Sequence, residues 1–310
     1  MIYSKSEFLE WQHQVRTYWS LRWKGWRYGP EEFCRRLYSG IVHGERELNL
    51  DAPTSYCDKL NWMKLHYHRP EFKVFADKLA VRAQIEAKLG AEWLTPLLGV
   101  FTRPEEIPWR DLPEAFVLKT THASGTNILC PDKSRFDRGL AVRRLRRWLR
   151  QDFYWYSLEW CYRELPRRIL CETFLKGDDG RSPRDYKVMC FNGAPRIVWV
   201  DVDRFTRHQR AFYDPDWNRM ACRSSWIEPT DADFPRPPQL EQMLAAARTL
   251  SAGYPFMRVD FYVVADRPIF GEITLYPGGG NEAFLPLSFD EEVGSWIPLP
   301  PPDSAPAPNP

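Results

Sequence analysis

The stretch of sequence that decides the fold is Phe256-Met-Arg-Val-Asp-Phe-Tyr262, followed closely by Ile269-Phe-Gly-Glu-Ile-Thr274. Both runs are rich in apolar residues, which predicts two β-strands, and the short link between them predicts a hairpin. Each strand carries one carboxylate, Asp260 in the first and Glu272 in the second. Because strand side chains alternate between two faces, Arg258 shares a face with Asp260. Two converging carboxylates beside an arginine predict a site for Mg²⁺ and a triphosphate.

The same carboxylates have a second interpretation, in which they only form cross-strand charge pairs on a structural hairpin. Asp260 lies between Val259 and Phe261, however, and a carboxylate inside an apolar strand is costly unless it is paired or bound to a metal. That cost favours the metal or phosphate site. The next segment, Tyr276-Pro-Gly-Gly-Gly-Asn281, predicts either a loop that receives a carboxylate or acyl phosphate, or a simple chain reversal.

The composition indicates a packed globular protein. The chain has 310 residues, of which 44% are hydrophobic and 27% charged, enough for one large domain or two smaller ones. A net charge of +2 is too small to indicate a nucleic-acid partner. Seven scattered cysteines without a Cys-x-x-Cys motif argue against a disulfide framework or a zinc site. No apolar run approaches the roughly 20 residues that a membrane crossing needs, and no signal peptide is evident, so we predict a cytoplasmic protein.

The hydrophobic pattern predicts an α+β fold. Residues 1–70 carry apolar side chains at three- and four-residue intervals, which predicts an N-terminal helical region. Further helices are predicted over residues 77–90, 137–152 and 239–252. Strands are predicted over residues 94–101, 115–121, 168–175, 185–191, 196–203 and 209–213. The last residues are mostly proline, alanine and polar side chains, and we predict a disordered tail over residues 291–310.

Candidate phosphate-binding residues lie near the first predicted strands. Lys119 ends an apolar strand just before a loop with His122, Ser124 and Gly125, and a cation beside exposed backbone N–H groups can clamp a phosphate. The alternatives are a lysine turned to solvent and an ordinary hairpin turn. Lys78 opens a helix, where the helix dipole opposes a cation, so it indicates either a bound anion or an ordinary surface lysine.

Candidate nucleoside contacts follow in the chain. The extended backbone of Glu172-Thr-Phe-Leu175 can hydrogen-bond the edge of an adenine, and Asp185 can accept from ribose hydroxyls. Lys187, two residues further on, shares the face of Asp185. On local grounds alone, a buried strand followed by a salt-bridged surface strand is the preferred interpretation.

Taken in order, these segments resemble the ATP-grasp superfamily over roughly residues 70–290. The matching segments are Asp77-Lys78-Leu79, Lys119 with its small-residue loop, Glu172-x-Phe-Leu175, Arg258-x-Asp260 and Glu272-x-Thr274. Three longer runs look like the TupA-like branch, which is associated with bacterial cell-surface polysaccharide synthesis. They are Lys119-Thr-Thr-His-Ala-Ser-Gly-Thr-Asn127, Asp185-Tyr-Lys-Val-Met-Cys-Phe-Asn-Gly193 and Gly271-Glu-Ile-Thr-Leu-Tyr-Pro277.

The resemblance implies an ATP-grasp fold, in which two α+β subdomains, residues 71–172 and 173–290, clasp ATP. It implies these roles: phosphate and loop contacts from Lys78, Lys119, His122, Ser124 and Gly125; adenine and ribose contacts from Glu172, Phe174, Leu175 and Asp185; Mg²⁺ ligation by Asp260, Glu272 and Thr274; and catalysis by Arg258 and Lys187. Thr274 stands where many members have asparagine, which leaves the number of Mg²⁺ ions open.

The activity that the resemblance implies is carboxylate activation, in which ATP gives an acyl phosphate and an amine displaces the phosphate. We therefore expect a carboxylate–amine ligase of cell-surface polysaccharide synthesis, joining an amino acid to a uronic acid. Its partners would be those two substrates and membrane-bound glycan assembly enzymes. The alternatives are a kinase or glycosyltransferase-like enzyme of the same pathway, and a non-catalytic nucleotide-binding protein.

Overall fold

The computed structural model describes residues 5–41, 46–177, 183–202 and 208–301. The α-helices in these ranges are α1 (Lys5–Tyr28), α2 (Pro30–Ile41), α3 (Tyr56–His66), α4 (Pro70–Ala76), α5 (Ala80–Leu89), α6 (Arg138–Trp148), α7 (Tyr154–Ser157), α8 (Leu240–Ser251) and α9 (Leu287–Ser295). The strands are β1 (Leu97–Phe101), β2 (Phe116–Thr120), β3 (Asn127–Cys130), β4 (Ile169–Thr173), β5 (Asp185–Phe191), β6 (Ala194–Val202), β7 (Gln209–Tyr213), β8 (Arg223–Ser224), β9 (Glu228–Pro229), β10 (Phe256–Val264), β11 (Arg267–Thr274) and β12 (Phe284–Leu285). Within the described ranges, every helix is either too short or too polar to cross a bilayer.

The first sheet is antiparallel, with the strand order β1-β4-β2-β3. Its apolar side chains form a small core with α6, in which Leu118, Leu145 and Cys171 are fully buried. The start of α6 is fixed by Asp137, whose side chain accepts from the backbone N–H of Leu140 at 2.8 Å. This small core holds in place the strands that carry Lys119 and Glu172.

The second sheet has the strand order β11-β10-β5-β6-β7-β9 and is antiparallel except for the β7–β9 pair. Two tight turns set its register. Asn192-Gly193 joins β5 to β6 with φ of 49° and 78°, and Ala265-Asp266 joins β10 to β11 with φ of 50° and 57°. Two successive positive φ values are typical of a type I′ turn, whose twist matches that of the flanking strands. The predicted hairpin of β10 and β11 is confirmed, and the α+β class is confirmed with it.

The N-terminal helices share the larger core with the second sheet. Tyr56 of α3 packs edge-on against Phe256 of β10 at 5.5 Å and against Phe284 at 5.2 Å between ring centroids. Apolar residues of α2 to α5 belong to this core as well, together with those of α8. This core contains residues from both sides of the predicted domain boundaries at residues 70 and 172. The boundaries themselves stay a prediction.

The chain stays folded beyond residue 291, where the disordered tail was predicted to begin. Residues up to Ser295 belong to α9, and Val293 and Ile297 are fully buried. The backbone carbonyl of Ile297 accepts from Lys59 Nζ of α3 at 2.8 Å. The burial of these two apolar side chains holds this part of the chain in place. The proline-rich composition of the residues that follow did not indicate such a folded segment. Residues 302–310 of the predicted tail lie outside the described residues.

Candidate functional site

An open cleft with a volume of about 420 Å³ is lined by residues of both sheets. That volume falls within the roughly 300–1,000 Å³ of common small-molecule pockets. The predicted site residues that line it are Lys78, Lys119, Ser124, Gly125, Glu172, Phe174, Leu175, Asp185 and Glu272. The other predicted residues, except His122, make hydrogen bonds with Asp185, Glu272 or one another.

One side of the cleft is a carboxylate held by two cations, which we call the first wall: Arg82, Lys119 and Glu172. Glu172 of β4 accepts from Lys119 Nζ of β2 at 2.7 Å and from Arg82 Nη1 of α5 at 2.8 Å. The Glu172 side chain is 6% exposed, but that of Lys119 is 23% exposed, so Lys119 can reach a ligand. Arg82 was not predicted from the sequence, although it follows Lys78 at the four-residue spacing of a helix face.

The loop between β2 and β3 is tied down at its base and open at its tip. Thr120 Oγ1 and Thr126 Oγ1 lie 2.5 Å apart, and half-buried Lys78 donates from Nζ to the carbonyl of Ala123. Burial lowers the pKa of Lys78, while the charge of Glu272 opposes that shift. Gly125 is exposed at the tip with φ of 71°, a left-handed conformation that glycine adopts without strain.

His122 does not belong to the described lining of the cleft. Its ring is buried, and Nε2 lies 3.2 Å from the backbone carbonyl of Trp148 at the end of α6. Because a carbonyl can only accept, Nε2 carries the proton. Burial lowers the pKa of His122 to about 4, so the ring is neutral at neutral pH. This contact anchors the loop to α6, and the cofactor contact predicted for His122 stays a prediction.

Behind the other side of the cleft lies a buried group that we call the second wall: Asp185, Lys187, Arg258 and Asp260. Asp260 of β10 pairs with Lys187 of β5 on one side and with Glu272 of β11 on the other, so the three lie in one row across the sheet. Lys187 Nζ donates to Asp185 and to Asp260, both at 2.6 Å. The predicted convergence of the two hairpin carboxylates is confirmed by this register.

Arg258 binds both oxygens of Asp260. Its Nε lies 2.7 Å from Oδ1 and its Nη2 lies 2.8 Å from Oδ2, which confirms that the two side chains share a face. Nη2 also donates to Glu272 Oε1 at 3.2 Å and to Thr274 Oγ1 at 2.9 Å. Burial raises the pKa of Asp260, while Arg258 and Lys187 oppose that shift. The side chain of Asp260 is only 2% exposed, so this carboxylate is closed to solvent.

The predicted Mg²⁺ ligands fit a magnesium ion poorly as they are arranged. Oxygen donors are the ligands that Mg²⁺ prefers, but both oxygens of Asp260 and the hydroxyl of Thr274 already accept from cationic side chains. Glu272 differs, because its side chain is 39% exposed and lines the cleft. In the described residues, no three His, Cys, Asp or Glu side chains form a metal-binding group.

A β-bulge lies beside Glu272 and accounts for its exposure, in contrast to the buried Asp260 opposite it on β10. Asp260 pairs with Glu272 but Phe261 pairs with Phe270, so Gly271 is an extra residue on β11. A Cβ at Gly271 would lie 3.1 Å from the carbonyl oxygen of Asp260, which shows how closely the strands approach. Bulges redirect the side chains beside them, and they are common next to functional sites.

A further buried ion network extends the second wall and was missed from the sequence. Arg210 of β7 donates to Asp201 of β6 at 2.6 and 3.1 Å and also to Glu282. The guanidinium groups of Arg210 and Arg258 lie 3.9 and 5.2 Å from the ring centroid of Trp199, which links the two networks. Asp201 stands inside an apolar strand as Asp260 does, and that shared pattern is the signal that could have identified it.

The glycine-rich loop after β11 is held by buried side chains of α3. Gly279 and Gly280 have φ of 64° and 83°, and their carbonyls accept from Lys64 Nζ and Asn61 Nδ2, both at 2.7 Å. Ser157 packs against Gly279 and donates to Glu159 at 2.6 Å. Burial raises the pKa of Glu159 to about 7, with a further contribution from the charge of Glu272. These contacts anchor the loop to α3, and its role in receiving a carboxylate or acyl phosphate stays a prediction.

Comparisons with known proteins place this geometry in a family. The family model described as TupA-like ATPgrasp matches residues 58–298, which include both walls. No curated protein matches the chain. A D-alanine–D-alanine ligase from Bacillus anthracis is 16% identical, with a TM-score of 0.36, over 65% of this chain and 57% of that one.

Two further solved structures are similar at the same level. A RimK domain ATP-grasp protein from Sphaerobacter thermophilus is 12% identical, with a TM-score of 0.40, over 73% of this chain and 67% of that one. An N5-carboxyaminoimidazole synthase from Aspergillus clavatus, in complex with ADP and 5-aminoimidazole ribonucleotide, is 9% identical, with a TM-score of 0.38, over 66% and 44%. The chain spans 44–57% of the first three solved chains that it matches.

Proposed function

The chain belongs to the TupA-like ATP-grasp family and has the ATP-grasp fold, and from that membership we propose that it is an ATP-dependent carboxylate–amine ligase. The observation that carries the proposal is the cleft between the two walls. Lys78 and Lys119 line it on one side and the exposed carboxylate of Glu272 on the other. The two lysines can bind the phosphates of ATP, and the carboxylate of Glu272 faces them across the cleft. This arrangement suits a triphosphate, whose negative charge must be shared between the protein and a metal ion.

The nucleotide would bind along the first wall. Lys78 and Lys119 would contact the phosphates, with the backbone around Ser124 and Gly125 covering them. The segment of residues 173–175 lines the same cleft and would contact the adenine, with Asp185 near the ribose. Lys119 would exchange part of its contact with Glu172 for a phosphate oxygen, which its 23% exposure allows.

The reaction would proceed in two steps, formation of an acyl phosphate and its displacement by an amine. An oxygen of the substrate carboxylate attacks the γ-phosphorus of ATP, the bond to the bridging oxygen breaks, and ADP leaves an acyl phosphate behind. An amine nitrogen then attacks the carbonyl carbon, the carbon–oxygen bond to phosphate breaks, and the amine releases a proton. Catalysis of this kind rests on positioning and charge stabilisation rather than on a protein nucleophile.

The second wall would act in this reaction mainly by position. Arg258 is fixed by Asp260, so its Nη2 is held beside Glu272 at the rim of the cleft. Lys187 is fixed between Asp185 and Asp260 and would keep both carboxylates in place. Mg²⁺ stays part of the proposal, and Glu272, whose side chain is 39% exposed and lines the cleft, is the residue that would hold it.

The biological role is a finer proposal that rests on the family's association with surface polymers. We propose that the carboxylate belongs to a uronic acid and the amine to an amino acid, and that the product passes to membrane-bound glycan assembly enzymes. A cytoplasmic location is supported by the requirement for ATP and by seven cysteines that are all free.

The test is ADP release from purified protein across a panel of uronic acids and amino acids. The proposal expects release only when a carboxylate and an amine are both present, and hydroxylamine should trap the acyl phosphate. Phosphate transfer to a hydroxyl, or nucleotide-sugar turnover without ATP, would identify a kinase or a glycosyltransferase instead. ATP binding without turnover on any pair would support a non-catalytic nucleotide-binding protein. Lys88→Ala, on the exposed face of α5, is the control for Lys119→Ala, which should lose activity.

A further inference from the structure

Helix α1 exposes a row of three tryptophans to solvent. Trp19, Trp23 and Trp26 have 58%, 55% and 78% of their surface exposed. They follow one another at four- and three-residue intervals, so they lie on one face of the helix. Single exposed apolar side chains are normal on proteins, but three tryptophans in a row on one helix face form a patch.

The opposite face of α1 is packed, which fixes the direction of the row. Tyr18 is buried, and its ring lies 5.8 Å from that of Tyr156, between centroids. The hydroxyl of Tyr18 accepts from the backbone N–H of Asp152 at 3.3 Å. A Cβ at Gly25 would lie 3.1 Å from the ring of Trp155, so glycine allows α1 to approach closely there. The tryptophans therefore face outward because the protein holds the other face.

The tryptophans are surrounded by cations. Residues 16–28 contain four basic residues and no aspartate or glutamate. All four are exposed: Arg16, Arg22, Lys24 and Arg27. The guanidinium of Arg22 also lies 5.3 Å from the ring centroid of Trp19, so charge and aromatic surface are presented together.

We propose that this face of α1 binds the surface of an anionic phospholipid bilayer. Tryptophan is enriched at the level of lipid headgroups, where its ring is in apolar surroundings and its N–H can meet water. A helix with aromatic residues flanked by cations lies in the plane of the interface, and the cations are attracted to lipid phosphates. No helix in the described ranges is apolar and long enough to cross the membrane, so α1 would rest on it.

The charges favour lipid over the other occupants of such a face. A second copy of the chain would bring the same four cations against each other in a symmetric contact, which is repulsive. A nucleic acid would use the cations, but the three tryptophans on a regular helix would stay in water. An anionic bilayer satisfies both features at once.

Co-sedimentation of the full chain with vesicles tests the proposal. We expect binding to vesicles containing phosphatidylglycerol, much weaker binding to pure phosphatidylcholine, and loss of binding at high salt. Replacing one cation, as in Lys24→Gln, should weaken binding about fivefold. Each basic residue near an anionic surface contributes about 1 kcal/mol of binding free energy, which corresponds to that change in affinity. The triple variant Trp19→Ala, Trp23→Ala and Trp26→Ala should lose at least tenfold.

Trp226→Ala is the matched control, because Trp226 is 42% exposed but lies outside α1, and it should bind as the unchanged protein does. Circular dichroism should show that the triple variant keeps its fold, since alanine is a good helix former. Failure to bind either kind of vesicle would overturn the proposal. So would equal binding by the triple variant, or self-association that the triple variant abolishes. None of these outcomes depends on the ligase activity.

Discussion

The two walls of the cleft are built from the same parts and differ in their exposure. In each, one carboxylate accepts from a lysine and an arginine at 2.6–2.8 Å, Glu172 in the first wall and Asp260 in the second. The lysine side chain is 23% exposed in the first wall and 4% exposed in the second. Solvent can replace a partner that leaves the first wall, but not one that leaves the second. We infer that the first wall binds ligand and that the second holds the shape of the cleft.

Removing the charge of Asp260 should have the largest effect. Asp260→Asn leaves Lys187 and Arg258 without their shared carboxylate in a buried site, and breaking such a network costs about 3–5 kcal/mol. Urea unfolding of the variant measures that loss. Glu272→Gln is the control on the neighbouring strand, and because Glu272 is 39% exposed it should cost less than about 1 kcal/mol. An Asp260→Asn protein as stable as the unchanged one would refute the structural role of the second wall.

Glu159 provides a buried carboxyl whose partner is a hydroxyl. Its pKa is raised by burial from 4.5 to about 7, so the folded state favours the protonated form. The stability that this form contributes is complete below pH 4.5 and is lost as the pH rises to 7. Glu159→Gln should therefore be more stable than the unchanged protein above pH 7, by about 3 kcal/mol.

The measurement is the free energy of unfolding of both proteins between pH 4 and pH 8. The two curves should converge near pH 4 and separate as the pH rises. A constant difference across this range would show that folding does not raise the pKa of Glu159.

Lys119→Ala should weaken ATP binding while leaving the fold stable. A hydrogen bond to a charged group contributes about 1.5–3 kcal/mol, so affinity should fall at least tenfold. Calorimetric titration with a non-hydrolysable ATP analogue measures the change, and Lys88→Ala should bind normally. Lys187→Met should show the reverse pattern, with a larger loss of stability. Equal losses of affinity and stability in the two lysine variants would remove the distinction between the walls.

Gly125→Ala should have the smallest effect. A left-handed conformation costs a non-glycine residue about 1–2 kcal/mol, so the open loop of the first wall would shift and ATP affinity would fall a few-fold. Gly253 also has a positive φ, of 84°, with nothing within 4 Å of the added Cβ. Gly253→Ala should therefore cost similar stability without changing ATP affinity. A loss of affinity in both variants would indicate a general effect of strain.

The hairpins of the second sheet could be predicted from the sequence because their signals are local. Alternation along each strand and two turn residues fix β5, β10 and β11, and the shared face of Arg258 and Asp260 follows from period-two geometry. The residue order that resembles ATP-grasp proteins is likewise read along the chain.

Other features of the site could not be predicted because they depend on contacts between distant segments. Lys187 and Asp260 are 73 residues apart, and only the register of β5 against β10 shows that they pair. The contact of Arg82 with Glu172 spans 90 residues and joins a helix to a strand. The burial of His122 against α6 has no sequence signal, because it depends on a contact with a residue 26 positions further along the chain.

The most direct measurement of the central claim is amide hydrogen exchange with and without a non-hydrolysable ATP analogue. We expect slower exchange over residues 119–127 and 172–175, where the first wall and its loop meet the ligand. The strand that carries Asp260 should change little, since its hydrogen bonds are already buried. Protection confined to the second sheet, or no protection in the loop around Gly125, would contradict the assignment of ATP to the first wall.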